Sequence, residues 1–375
     1  MLPGFATPEG TARYRDRFPQ FPGHFRRAEH VPGAGKLWLS SIGLGTYLGE
    51  PDDATDRAYT EAISTALRSG MNVLDTAINY RHQRSERNIG VGLKNLIASS
   101  ELQRDEVVVC TKAGFLSFDG DVPPNPRDYF HREYLDREVM QARDVVGGMH
   151  CIAPQYLINQ LERSRANLGL ATIDLFYIHN PETQLSAIDR TAFFQRLRSA
   201  FNALEDAVER DKVRYYGLAT WNGFRLGPGE RDFIGLAEVV KVARDLVGDG
   251  HHLRFLQLPF NLAMPEAFGL ANQNGNAAGE KASLLDVARD AGIVVMGSAS
   301  LYQAQLTSGL PDFIRQRLGM SNDAENAIQF ARSAPGITTA LVGMSRAEHV
   351  RANLQTAKRP PAAPEQWNKL FAEES

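Results

Sequence analysis

Eight short apolar runs, each followed by a longer segment of helical period, predict an α/β fold of one kind, a closed (β/α)8 barrel. The runs are almost continuously apolar, as parallel strands buried on both faces are. The 375 residues exceed the usual single domain but suit one barrel carrying insertions. A doubly wound open sheet is disfavoured by the count of eight and by the first run. There Gly43-Leu44-Gly45-Thr46-Tyr47-Leu48 lacks the third glycine of G-x-G-x-x-G.

Residues 1–36 read as an N-terminal extension that packs on the body or closes one end of the barrel. They hold five prolines, several glycines and no sustained period. Their basic cluster, Arg13, Arg15, Arg17, Arg26 and Arg27, is expected to be a solvated surface. The barrel is expected over 37–357, with strands at 39–46, 72–77, 107–112, 173–179, 213–220, 255–261, 293–299 and 338–343.

Helices fall between them. In 55–69, Ala58, Ala62, Ile63, Ala66 and Leu67 form one stripe and Gly70 ends it. In 154–168, Pro154 opens a helix with Leu157, Ile158, Leu161 and Leu168 on one face, and Gly169 closes it. Leu236, Val239, Val240, Ala243, Leu246 and Val247 repeat the pattern in 235–247. The segment 345–356 opens on Ser345-Arg346-Ala347-Glu348, which reads as a capping box.

Two segments break the rhythm. Residues 115–150, after the third strand, carry Pro123, Pro124, Pro126 and several aromatics, and read as a lid or pocket wall. Residues 264–280, rich in Asn, Gly and Ala, read as a flexible loop. Residues 358–375 are a short C-terminal tail.

The composition bounds the partners. With 41 basic and 44 acidic residues the net charge is −3, which offers nothing to attract nucleic acid or an anionic membrane. No stretch approaches the roughly 18 apolar residues of a membrane span. The N-terminal segment lacks a signal-peptide core, and two cysteines without C-x-x-C suit a reducing, cytoplasmic setting. No metal site is expected: there is neither H-E-x-x-H nor a spaced carboxylate set, and His150-Cys151 is a lone pair. A hydrolase triad lacks its G-x-S-x-G elbow.

In a barrel of this kind chemistry sits where strands end. Asp75 closes the second run, Tyr80 lies five residues on, Lys112 ends the third run and His179 the fourth. Lys112 is the hardest to explain structurally, because it follows the interior run Val107–Thr111 and lysine is rarely buried unpaired. An ammonium beside a phenol lowers its pKa, and a carboxylate keeps that ammonium charged. An imidazole can orient a carbonyl. Tyr80 would then exchange a proton with a carbonyl oxygen while hydride comes from a cofactor, since no side chain supplies one. Schiff-base chemistry on Lys112 is the competing enzymatic reading, opposed by the Asp75 pairing that keeps the amine protonated.

These residues resemble the aldo-keto reductase superfamily. The matching motifs are Gly43-Leu44-Gly45-Thr46; Asp75-Thr76-Ala77 with Tyr80, Ser85-Glu86 and Ile89-Gly90; Thr111-Lys112; Ile173-Asp174-Leu175 through His179; Gln257 and Asn261; and Val342-Gly343 through Asn353-Leu354. The resemblance implies that Tyr80, Lys112, Asp75 and His179 are the catalytic tetrad, with Tyr80 the acid/base. It implies NADP as cofactor, with NAD as the alternative, and a small carbonyl or alcohol as substrate. The implied cofactor-binding residues are Thr46, Tyr47, Asp75, Gln257, Ser298, Gly343, Ser345, Arg346, His349 and Asn353. Tyr47, Phe115 and Trp221, with Tyr129 and Phe130, are candidates for an aromatic substrate pocket.

Three positions depart from the family pattern. Ala219-Thr220 stands where many members have Ser-Asn, and Ser298-Ala299-Ser300-Leu301 lacks the usual stacking aromatic. Met344-Ser345 replaces a basic side chain for the 2′-phosphate, leaving Arg346 to supply it. These departures motivate an alternative function, a nucleotide-binding barrel with a regulatory or interaction role and little turnover.

Overall fold

The eight apolar runs form eight parallel strands that close on one another in chain order. The computed structural model describes residues 1–275 and 279–371. The barrel strands are β1 (Ile42–Gly45), β2 (Val73–Asp75), β3 (Val108–Ala113), β4 (Ile173–His179), β5 (Val213–Ala219), β6 (Leu253–Pro259), β7 (Val294–Ser298) and β8 (Ile337–Gly343). β8 pairs with β1 to close the ring.

The main helices that alternate with them are α1 (Asp53–Ser69), α2 (Arg84–Ala98), α3 (Pro154–Leu168), α4 (Arg190–Glu209), α5 (Leu236–Val247), α6 (Leu284–Asp290), α7 (Asp323–Ser333) and α8 (Ala347–Leu354). Asp52 and Asp189 cap α1 and α4 by accepting from Thr55 and Ala192 backbone N–H groups, and α1 ends on left-handed Gly70 (φ 111°).

The period of two decides which side chains enter the barrel. Val73, Val108, Cys110, Leu175, Tyr177, Phe255, Val294, Met296 and Leu341 form one buried cluster inside it, while their strand neighbours pack outward against the helices. The first expected strand is split. Leu39–Ser40 pairs antiparallel with Phe25–Arg26 below the barrel, and only Ile42–Gly45 joins the ring.

The N-terminal residues pack against the N-terminal end of the barrel. Ala6, Ala28, Val31, Ala34, Leu37 and Leu39 continue the interior cluster. The Ala6 amide donates to Asp174 Oδ1 at 2.6 Å, and Tyr14 Oη donates to the Leu67 carbonyl at 2.6 Å. The basic cluster lies at the surface as expected, with Arg17 and Arg27 exposed and Arg13, Arg15 and Arg26 half-buried, but its side chains are tied down. Arg13 and Arg17 pair with fully buried Glu106, the Arg26 guanidinium donates to the Ile337 carbonyl, and Arg15 lies 3.9 Å over the Trp38 ring. A buried carboxylate needs such partners, and that need fixes the arginines.

Two other expectations are corrected. Of the 264–280 loop, residues 276–278 lie outside the described residues, but Gln273–Asn274 pairs with Lys281–Ala282, and Gln273 Oε1 accepts from the Leu236 amide at 2.8 Å. The Ser345–Glu348 capping box does not form. Arg346 occupies the N-cap of α8, no side chain among the described residues caps it, and Glu348 pairs with Arg346 instead. Of the C-terminal tail, 372–375 lie outside the described residues. Within it Trp367 is fully buried against Phe260, Phe268 and Phe330 and donates Nε1–H to the Phe330 carbonyl at 2.9 Å.

Candidate active site

β2, β3 and β4 are neighbours, and their inward residues at the C-terminal ends face one another. Lys112 Nζ donates to Asp75 Oδ1 and Oδ2 at 2.8 and 2.7 Å and to the Thr76 carbonyl at 2.8 Å. Both side chains are buried. Gln257, rising on β6 across the barrel, adds its amide to Asp75 Oδ1 at 2.7 Å. Burial alone would pull the Lys112 pKa down, but Asp75 and the nearby Tyr80 hold it above its ordinary value, so the ammonium is kept.

Tyr80 lies on the loop after β2. Lys112 Nζ is 5.0 Å from its ring centroid. Its ring meets His179 at 6.0 Å and Tyr47 at 5.0 Å, both edge-on. The expected lowering of the phenol pKa is only part of the balance. Burial raises it, Lys112 opposes that, and the net direction is up. The phenol is therefore protonated at neutral pH, ready to donate.

His179 is driven well below the ordinary imidazole range, first by burial, then by Lys112 and His150. It is neutral, and its Nδ1 is buried with no hydrogen-bond partner among the described residues. An orphaned buried acceptor is less costly than an orphaned N–H. The proton therefore belongs on Nε2, and the imidazole is a hydrogen-bond donor rather than an acid.

The backbone around these residues is unusual. Arg81, His82 and Gln83, directly after Tyr80, all have positive φ (48°, 54°, 73°), as does Asn180 after His179 (45°). Each costs roughly 1–2 kcal/mol for a side chain other than glycine. The turn after Tyr80 is held by the buried Arg81 guanidinium, which bonds the Glu50 carbonyl at 2.9 Å, Asn88 Oδ1 at 2.8 Å and Asp56 Oδ1 at 2.6 Å.

The other expected site residues divide into two groups. Thr46 is fully buried and tied to the Asp75 carbonyl, and Phe115 sits 5.1 Å from His179 at 90°. Tyr47 (56% exposed) and Trp221 (41%) stand at the rim on the loops after β1 and β5. Ser298 and Gly343 end β7 and β8, and Ser345, Arg346, His349 and Asn353 follow at and along α8. Arg346 and His349 are exposed, and Met344 is buried and does not reach the rim surface. Tyr129 and Phe130 do not join Tyr80; their rings pack with Phe118 in the core of the 115–150 segment.

Three residues were not read as part of this site from sequence, His150 having been weighed only as a metal ligand. His150 Nε2 lies 2.8 Å from the His179 carbonyl, and Gln184 Nε2 lies 2.8 Å from His150 Nδ1. Glu182 Oε1 accepts from the Trp221 and Asn222 amides at 2.6 and 2.9 Å, which anchors the loop bearing Trp221. The only local signal was their place just beyond strand or loop ends.

The aldo/keto reductase family model matches residues 41–225, from the start of β1 to the loop after β5, and this stretch contains Asp75, Tyr80, Lys112 and His179. Over this stretch, just under half of the chain, the sequence is that of the aldo/keto reductase family. Aldo-keto reductase AMT2 of Alternaria alternata is 27% identical over 192 residues, 50% of this chain and 47% of that protein. The NADH-specific methylglyoxal reductase of Escherichia coli K12 is 25% identical over 192 residues, 50% of each chain. The chain thus matches about half the length of these curated relatives. An aldo/keto reductase from Klebsiella pneumoniae, solved in complex with NADP and acetate, superposes with a TM-score of 0.59 at 19% identity, over 93% of this chain and 95% of that one. That likeness establishes the (β/α)8 barrel fold over nearly the whole chain.

Proposed function

We propose that this aldo-keto reductase family protein reduces an aldehyde or ketone to the alcohol, or runs the reverse oxidation, with NADP as cofactor and NAD as the alternative. The observation that carries the reading is the convergence of Lys112, bonded to both oxygens of Asp75, on a protonated Tyr80 beside a neutral His179. The names of the relatives support the cofactor: one neighbour was solved with NADP and one relative is NADH-specific.

The residues present fit a nicotinamide dinucleotide. At the rim, Thr220 Oγ1 and Asn79 Oδ1 are buried without partners among the described residues, as groups that meet a polar ligand would be. The N-terminus of α8 has no side-chain cap and carries exposed Arg346 beside it, which suits a phosphate. Thr220, Asn79 and Ser298 would hold the nicotinamide end, and Ser345, Arg346, His349 and Asn353 the adenosine end. When bound, the nicotinamide supplies hydride to the carbonyl carbon.

The chain's own residues do the rest. His179 donates Nε2–H to the carbonyl oxygen and sets its direction. Tyr80 donates the phenolic proton to that oxygen as negative charge builds on it. Lys112 stabilises the phenolate left behind, and Asp75 keeps Lys112 charged and fixed. Because the imidazole is neutral, the transferred proton comes from Tyr80. The wall formed by residues 115–150, reaching the site through Phe115, selects the substrate.

Fluorescence titration with NADPH and NADH, followed by a panel of aldehydes and ketones, tests the proposal. Tight binding of one nucleotide and oxidation of it by a carbonyl is the expected result. Failure to bind either nucleotide would remove it.

A further inference from the structure

We propose that His150 is a positioning residue: a one-directional chain of hydrogen bonds, Arg196 to Gln184 to His150, holds the His179 carbonyl and so aims the His179 imidazole. The role rests on the carbonyl-reduction reading above and adds to it a residue from outside the four strand ends.

Each link takes its direction from the chemistry of its neighbour. A guanidinium can only donate, and Arg196 donates to Gln184 Oε1. The Gln184 amide must then turn its NH2 the other way, where it lies 2.8 Å from His150 Nδ1. An amide nitrogen only donates, so Nδ1 accepts and the proton of neutral His150 sits on Nε2. That nitrogen is 2.8 Å from the His179 carbonyl, which only accepts. The bond exists in this tautomer alone. Gln184 and His150 are fully buried, so water does not compete for these groups.

The packing leaves His150 little freedom. Gly114, the residue after β3, lets the two histidines approach: a Cβ there would lie 2.4 Å from the His179 carbonyl oxygen and 2.9 Å from His150 Nε2. The Phe115 ring is wedged between both imidazoles, 4.9 Å from His150 and 5.1 Å from His179. The foot of the 115–150 segment is closed by Leu116 N–H to the Met149 carbonyl and Cys151 N–H to the Gly114 carbonyl, at 2.8 and 2.7 Å. Arg196 also donates to the Arg143 and Asp144 carbonyls, at 3.3 and 3.4 Å, so one side chain of α4 secures both that foot and the chain to His179.

The test uses the full-length protein, NADPH and the best carbonyl of the panel. His150→Phe keeps a ring without the donor, and Gln184→Leu removes the tautomer lock. Each is expected to lower kcat/KM about 10–100-fold, the scale of a small misplacement at the reacting centre, with NADPH affinity unchanged. In a His179→Asn background His150→Phe is expected to cost nothing further, because a positioning residue acts only through what it positions. Imidazole 15N NMR of the wild type is expected to show His150 as the Nε2–H tautomer. Arg196→Met, at a partly exposed site, gives the same readout where His150→Phe does not fold.

Unchanged kcat/KM in both Gln184→Leu and Arg196→Met would overturn the role, as would losses that multiply fully in the His179→Asn background. An Nδ1–H tautomer in an active wild type would overturn the role alone. A wild type that reduces no carbonyl would overturn the functional reading and the role with it.

Discussion

Lys112→Met should be far more destructive than an ordinary lysine substitution. The ammonium donates three bonds, two to Asp75 and one to the Thr76 carbonyl, and neither charged group reaches solvent appreciably. Methionine fills most of the volume but leaves the Asp75 carboxylate with the Gln257 amide as its remaining side-chain donor. Breaking one side of a buried pair costs about 3–5 kcal/mol, a large share of the roughly 5–15 kcal/mol that holds a domain folded. Asp75→Asn together with Lys112→Met removes both charges and should recover most of the loss without restoring turnover. Urea unfolding at pH 7.5 measures both the loss and its recovery. A deficit under about 1 kcal/mol at pH 7.5, or a double variant no more stable than the single, would refute the reasoning.

Gly114→Ala must push the His179 carbonyl aside, and because the obstacle is backbone the change should lower carbonyl turnover at least about 10-fold while NADPH binding, read by fluorescence, persists. Trp367→Ala should cost about 3–5 kcal/mol in chemical denaturation, since a fully buried indole and its bond to Phe330 are both lost. Burial lowers the pKa of His24 to about 3 and of His150 to about 4. The unfolded chain protonates these groups below about pH 6.5 and the folded chain does not, so stability should fall between pH 6.5 and 4, by roughly 3 kcal/mol from His150 alone. A Tm that stays level across that window would contradict the assignment of neutral buried imidazoles.

The barrel was legible because strands buried on both faces cannot hide their composition, and because glycines such as Gly70 and Gly169 mark helix ends locally. Asp75, Lys112 and His179 were legible as a group because each closes its run, and strand ends share one rim of the barrel. What escaped depended on partners distant in sequence. Arg13 and Arg17 are surface residues as read, but their fully buried partner Glu106 lies some ninety positions away and could not be read from their neighbours. The Ser345–Glu348 pattern had the right residues for a cap, but the helix starts later and Glu348 turns to Arg346. The upward direction of the Tyr80 pKa could not be read from residue types, because it is a contest between burial and Lys112 that only packing decides. His150 carried no signal beyond its type, since its importance lies in a carbonyl of the backbone.

Tyr80→Phe, titrated with NADPH and then assayed for carbonyl reduction across pH 6–10, tests the central claim. The account predicts unimpaired nucleotide binding and a fall in kcat of about 10²–10⁴-fold, the scale of a lost proton donor. In the wild type reduction should stay level through neutrality and decline only at alkaline pH as the phenol ionises. Turnover within a few-fold of wild type in the variant would contradict the account and favour a barrel that binds nucleotide for another purpose.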